Sequence, residues 1–207
     1  LSIHMKNFVS TANPLLSSLR NVATRTARRT PGLREFLSEA KFKPRPRYEA
    51  GAYFGLPRQR RNGLEGEQLP QPTLADRECQ PLLLDEALGE GYALIGFAVD
   101  PRQSLSAADL QQLAQLNTRY LTLYPAGGRP QGKAAASTPA GLSEWEDMSG
   151  ECIRRFREAG YAEGAVAIVR PDRFVFAMAR PGSAPAAVHS LLEQLGLQTA
   201  TRQQEAS

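Results

Sequence analysis

The chain has 207 residues, 42% of them hydrophobic and 22% charged, which places it among globular proteins and excludes the disordered and collagen-like classes. No run approaches the ~18 consecutive apolar residues of a membrane-spanning helix. The net charge of +4 hides an asymmetry: residues 1–61 hold 13 Lys/Arg against 3 Asp/Glu (+10), and residues 62–207 hold 12 against 18 (−6), a basic arm joined to a mildly acidic domain.

The opening Leu1-Ser-Ile-His-Met-Lys6 has no signal-peptide layout and no initiator Met, so the chain is expected to be a piece of a longer protein. Leu15, Leu19 and Val22 keep helical spacing, and Pro14 starts or kinks that helix. Thr30-Pro31 resembles an N-cap with a first-turn proline, ahead of a short helix whose apolar face is Leu33, Phe36 and Leu37. Prolines hold Lys41-Phe-Lys-Pro-Arg-Pro-Arg-Tyr48 extended, and residues 49–72, rich in Gly, Pro, Arg and Gln, form a linker.

The acidic domain is expected from near Leu69. Pro81-Leu-Leu-Leu-Asp-Glu-Ala-Leu88 passes from a short apolar run into one helical turn closed by Gly89. Tyr92–Val99 is a buried strand by its apolar run. Ser106 begins a helix with Leu110, Leu113 and Leu116 inward, and Asp109 favours its positive end. Arg119–Tyr124 is the next strand, so the unit is expected to be a right-handed parallel crossover. A Gly/Pro/Ala loop fills 125–141, and a helix over 150–159 ends at Gly160. Ala165–Val169 and Phe174–Met178 then flank Arg170-Pro-Asp-Arg173 as a β-hairpin, apolar at nearly every position and therefore covered on both faces. Ser183 can cap the last helix, Pro185 falls in its first turn, Gly196 can end it, and Val188, Leu191, Leu192 and Leu195 form its stripe.

This element order is that of an α/β, thioredoxin-like domain: a mixed sheet of four or five strands with helices on both faces, preceded by a helical basic arm and a linker. The expected organisation is a helical segment at 1–50, a linker at 51–68, the domain at 69–199 and a frayed tail at 200–207.

Candidate chemistry is sparse. Gly127-Gly-Arg-Pro-Gln-Gly-Lys133 follows a strand and matches part of a phosphate-binding loop, but Ala134 stands where Mg²⁺ needs a hydroxyl and Pro130 removes a cradle N–H. Gly89-Glu-Gly91…Gly96 precedes its strand, the wrong order for a dinucleotide fingerprint. A redox thioredoxin carries C-x-x-C where this chain has Val99-Asp-Pro-Arg-Gln103, and the loop Tyr161-Ala-Glu-Gly164 lacks the proline of redox members. Cys79 and Cys152 are read as ordinary unbridged thiols of a reducing, cytoplasmic setting. His4 and His189 have no carboxylate or Cys at metal-ligand spacing, and His189, on the flank of the last stripe, is read as solvated or locally bonded. No catalytic, cofactor-binding or metal-binding residue is assigned. The basic arm, with Phe42, Tyr48 and Tyr53 interleaved, either contacts nucleic acid or lies across an acidic protein surface.

Several strings resemble the C-terminal part of bacterial FAD-dependent aromatic-ring hydroxylases, the type acting on 3-(3-hydroxyphenyl)propionate and related phenols. They are Ala40-Lys-Phe-Lys-Pro-Arg-Pro-Arg-Tyr48, Gln68-Leu-Pro-Gln-Pro72, Leu84-Asp-Glu-Ala-Leu-Gly89, Tyr92-Ala-Leu-Ile-Gly96 and, most specifically, the hairpin Ile168–Ala177. The resemblance implies a thioredoxin-like domain without redox cysteines, behind flavin and substrate domains that use FAD and NAD(P)H to insert one oxygen atom into a phenolic ring. The family's G-x-G-x-x-G and its Gly-Asp flavin motif have no counterpart here, so no flavin or catalytic residue carries over. The implied role is non-catalytic: structural and subunit contacts, with the parent's flavin and substrate domains as partners. The rival expectation is a stand-alone, redox-inactive binding module.

Overall fold

The computed structural model describes residues 18, 47–48, 50–55, 63–130 and 139–197. The expected helices around Leu15–Val22 and Leu33–Leu37, the extended Lys41–Arg45, His4, Lys133 and the tail after 199 lie outside the described residues, apart from a helical, exposed Ser18. The chain divides into two compact units, Leu1–Arg45 and Pro46–Ser207, and the account below concerns the second.

Its strands are β1 (Thr73–Ala75), β2 (Pro81–Leu83), β3 (Ala93–Phe97), β4 (Arg119–Pro125), β5 (Leu142–Asp147), β6 (Val166–Val169) and β7 (Val175–Ala179). The helices are α1 (Leu84–Leu88), α2 (Ala107–Gln115), α3 (Glu151–Glu158) and α4 (Ala184–Gln194). The strands form one sheet in the order β2-β1-β5-β4-β3-β6-β7. β3 pairs parallel with β4, and β4 with β5; β6 runs antiparallel to β3 and to β7. The core β4-β3-β6-β7 with α2 inside the first crossover and α4 after the hairpin is the thioredoxin-like arrangement, as the element order predicts.

The sheet has seven strands, not the expected four or five. β5, Leu-Ser-Glu-Trp-Glu-Asp, escapes an apolar-run search because its two apolar residues, Leu142 and Trp145, fall on opposite faces among polar neighbours. Ser143 and Trp145 pair beside Leu121 and Leu123 over the core, while Glu144 and Glu146 face the other way beside Thr122 and Tyr124. β1 and β2 are three residues each, too short for any period to show.

Alternation along the strands divides the core into two layers. Leu74, Ile95, Phe97, Leu121, Leu123 and Val175 pack with Leu84 and Leu88 of α1 and Cys152, Ile153 and Phe156 of α3. Leu94, Ile168 and Phe176 pack on the other face with Leu113 of α2 and Val188, Leu191 and Leu192 of α4. Each such aliphatic or aromatic side chain contributes roughly 1.5–3 kcal/mol before entropy is charged. Leu195 does not belong to this stripe: it is 41% exposed, because the helix ends at Gln194.

Local chemistry sets the ends. In the hairpin turn the left-handed corner falls on Arg173 (φ 69°), with Arg170 N–H donating to Phe174 O and Arg173 N–H to Arg170 O. Asp172 instead accepts from the Arg170 guanidinium. Ser183 does not cap α4: its Oγ accepts from Arg180 N–H and closes a 3₁₀ turn ahead of the helix. Gly196 takes the positive φ of 72° that lets Leu197 N–H reach Leu192 O, a helix stop that glycine accommodates without strain.

β7 is an outer strand of the sheet, and residues 63–69 run along its edge. Gly66 N–H donates to Val175 O, Val175 N–H to Glu67 O, and Leu69 N–H to Arg173 O. At Met178 the backbone N–H instead finds a side chain, the Glu65 carboxylate, at 3.2 Å.

Candidate functional site

The crevice outside the carboxyl ends of parallel strands is where an α/β sheet most readily builds a site. Here β3 leads into Ala98, held at φ 52°, and the chain folds back so closely that a Cβ on Gly96 would stand 1.9 Å from Val99 O. Thr122 Oγ1 donates to that same Val99 carbonyl. Gly96 therefore serves a close backbone approach, not a cofactor. Beyond it, Arg102 grips Asp100 through Nε and Nη2 at 2.9 and 2.8 Å, donates to Ala140 O at 2.7 Å, and lies 5.7 Å from the Tyr120 ring centre. Burial pushes the Asp100 carboxyl up, but hydrogen bonds from Arg102 outweigh it and hold the carboxyl below its usual range. An ion pair thus occupies the place where a redox thioredoxin exposes thiols.

The two thiols lie elsewhere and are both free. Cys79 is exposed in the β1–β2 turn at φ 59°. Cys152 is fully buried in α3, with Sγ 3.8 Å from Pro70 O; burial first, then the charges of Asp147 and Glu151, push its thiol well above the ordinary range. A thiolate nucleophile there is disfavoured.

The described half of the phosphate-loop-like string is already bound to a carboxylate. Gly127 N–H and Arg129 N–H donate to the two oxygens of Glu146, at 3.2 and 3.3 Å, and Gly128 N–H donates to Pro125 O. The Arg129 guanidinium points back to Ala75 O and Glu144 O. Of the described N–H groups that would cradle a phosphate, two are turned onto the chain's own anion and one onto a carbonyl.

His189 does have a carboxylate partner. Its Nε2 donates to Asp109 Oδ1 at 2.8 Å across 80 positions of sequence, so the sequence reading found no partner where the fold supplies one. Asp109 Oδ2 simultaneously accepts from Ser106 Oγ and Ser106 N–H, completing a capping box on α2. Ser, Asp and His meet, but in the wrong order for a hydrolase: the carboxylate sits between the other two, so the serine hydroxyl donates to Asp109 and not to His189. Burial raises the Asp109 carboxyl, and the Ser106 and His189 contacts more than reverse this.

The segment entering the domain is tied down by charge and stacking. Glu67, 8% exposed, lies between Arg47 and Arg155, the latter at 2.5 Å; Arg155 also meets Glu158 at 2.7 Å. Tyr48 stacks on Tyr53 (5.9 Å between ring centres) and meets Phe174 in a tilted pair (4.7 Å), and Arg170 covers Tyr53 at 4.8 Å. Tyr53 is buried, so the aromatic interleaving of the arm is spent, at this end, on internal packing. Among the described residues no three His, Cys, Asp or Glu side chains converge as a metal site, and no helix is long and apolar enough to cross a membrane.

Residues 66–194 match the family model described as the HcaD C-terminal domain. A 3-(3-hydroxy-phenyl)propionate/3-hydroxycinnamic acid hydroxylase of Klebsiella pneumoniae (strain 342) is 29% identical over 171 residues, which are 82% of this chain and 29% of that protein. The hydroxylase of the same name from Mycobacterium sp. (strain JLS) is 32% identical over 125 residues, 60% of this chain and 22% of that one. The chain thus spans about a third or less of the length of these curated relatives. Among solved structures, the flavin-dependent monooxygenase PieE, in complex with FAD and substrate, aligns with 18% identity and a TM-score of 0.46 over 73% of this chain and 25% of its own. Peroxidoxin BcpB from Mycobacterium tuberculosis aligns with 15% identity and a TM-score of 0.44 over 63% of this chain and 97% of its own.

Proposed function

The chain belongs to the HcaD C-terminal domain family, and from that premise we propose that it is the C-terminal portion of an FAD-dependent, NAD(P)H-using aromatic-ring hydroxylase acting on phenolic substrates. In that reading residues 1–50 continue from the flavoprotein body, 51–68 cross from it, 69–199 form the terminal domain and 200–207 trail behind. Its own role is structural, closing the flavoprotein and contributing to subunit contacts. The observation that carries the non-catalytic part is the Asp100–Arg102 ion pair in the thiol position, with the only buried thiol sealed inside the core.

The described residues do not fit FAD. A dinucleotide site needs glycine N–H groups open after a strand. Here Gly91 precedes β3 against Asn117 O, and the glycines after β4 are held by Glu146 and Pro125. No step of the hydroxylation is assigned to this chain.

The test is to purify the chain alone and fused behind the matching flavoprotein body. Alone it should be colourless with added FAD and leave NAD(P)H unoxidised. Fused, it should raise the body's melting temperature. A yellow chain with NAD(P)H oxidation would show that the domain carries flavin chemistry itself, and no gain on fusion would remove the structural role.

A further inference from the structure

Two stretches that composition marks as linker supply side chains to the interior. Phe54 packs against the layer of Leu94, Phe176 and Val188, while Leu64 and Leu69 join the layer of Leu74, Phe97 and Phe156. Leu64 is 2% exposed and Tyr53 5%, the burial of a core and not of a crossing. Of these four residues only Leu69 falls inside the span 66–194 that the family model matches. The backbone is engaged as well. Gly66 N–H donates to Val175 O and Val175 N–H to Glu67 O, which seats residues 63–69 on β7. Residues 47–54 then lie on both: Tyr48 N–H donates to Gly66 O at 2.7 Å, and Phe54 N–H to Phe176 O at 3.0 Å. The approach depends on Gly66, where a Cβ would stand 2.3 Å from Tyr48 O. At the hairpin turn the Arg170 guanidinium covers the Tyr53 ring and donates to Ala52 O. Glu67 joins Arg47 to Arg155 of α3 from the other side.

We infer that the terminal domain begins at Arg47, and that residues 47–54 with 63–69 form a strap that opens only when the hairpin and sheet open. A flexible linker leaves its backbone groups and side chains to water. This strap instead pairs its N–H groups with the hairpin and fills a place in each of the two core layers, so losing it would leave both layers short of a side chain. The domain's start thereby moves forward from Leu69, and the chain enters at a place set by the hairpin turn. The inference concerns this domain's own packing and is independent of the flavoprotein reading.

Native-state amide hydrogen exchange on the whole chain tests it. The Phe54 and Gly66 amides report the strap, and the Phe97 amide, bonded to Ala165 O at 2.8 Å, reports the sheet centre. In the parent chain the protection factors of all three should agree within about tenfold, as for one cooperative unit. Tyr53→Ala should speed exchange at all three together by about tenfold or more, whereas Tyr53→Phe, which keeps the ring, should leave them within about twofold. Strap amides that exchange more than about tenfold faster than Phe97 in the parent chain would overturn the inference. So would a Tyr53→Ala chain in which they alone speed up while Phe97 holds. If Tyr53→Ala does not fold, the comparison within the parent chain decides by itself.

Discussion

One carboxylate can hold two helices when its oxygens are divided between them. Asp109 gives one oxygen to Ser106 at the start of α2 and the other to His189 on α4. A carboxylate only accepts, so the imidazole presents a protonated Nε2 to it. The Ser106–Asp109 half was legible, because a capping box is written in four consecutive residues. The His189 half was not, since nothing in a helix stripe says which distant polar group its flank will meet. Asp109→Asn should cost about 1–2 kcal/mol at neutral pH by urea unfolding, the usual worth of a cap with one charged hydrogen bond. The sign of its pH dependence is fixed: a carboxyl held below its ordinary value contributes stability above about pH 4 and loses it as pH falls through the lower folded value. The gap between the parent and Asp109→Asn should therefore shrink between about pH 5 and pH 3. A gap that stayed constant would mean the ionised carboxylate is not what joins the helices.

Among the elements, the hairpin was the most legible part of the chain because both strands are apolar on both faces and the turn is marked by Pro171-Asp172. Val166–Val169 and Val175–Ala179 pair as expected, with a register shift between Ile168 and Val169 that no local signal announces. Ile168 lies at the centre of this arrangement, opposite both Leu94 and Ala177 and fully buried. Ile168→Asp should abolish the cooperative melt followed by circular dichroism, because a buried unpaired charge exceeds what a domain of this size can absorb. A sharp transition near the parent's temperature would contradict the assigned core. β5 was missed for the opposite reason. Its Glu144 and Glu146 have partners only the fold provides, Arg77 and Tyr124 for the first and the loop amides of Gly127 and Arg129 for the second. Read alone, the segment is too charged to be an interior strand.

At the scale of the molecule, salt dependence of binding is what separates the flavoprotein reading from a nucleic-acid module. In the described domain the guanidinium groups are largely committed: Arg47 and Arg155 to Glu67, Arg77 to Glu144, Arg102 to Asp100, Arg154 to Glu158, Arg170 to Asp172 and Arg173 to Asp85. Binding of duplex DNA should accordingly be weak, sequence-blind and lost near physiological salt, with a log–log slope of about −0.9 per phosphate neutralised. Tight binding that survives such salt would favour the nucleic-acid module instead. The family was legible in short strings because they sit at β3, α1 and the hairpin, where packing restricts the residues allowed; the empty redox position was legible simply as missing sulfur. The course of residues 63–69 along β7 was not legible, since the strand they line lies far along the chain. Glu65 and Met178 are 113 positions apart. At about 5–20 residues per second of synthesis, Glu65 leaves the ribosome on the order of ten seconds before the strand it lines. Residues 63–69 are thus made well before the strand they line, and cannot settle along that edge until the hairpin is complete.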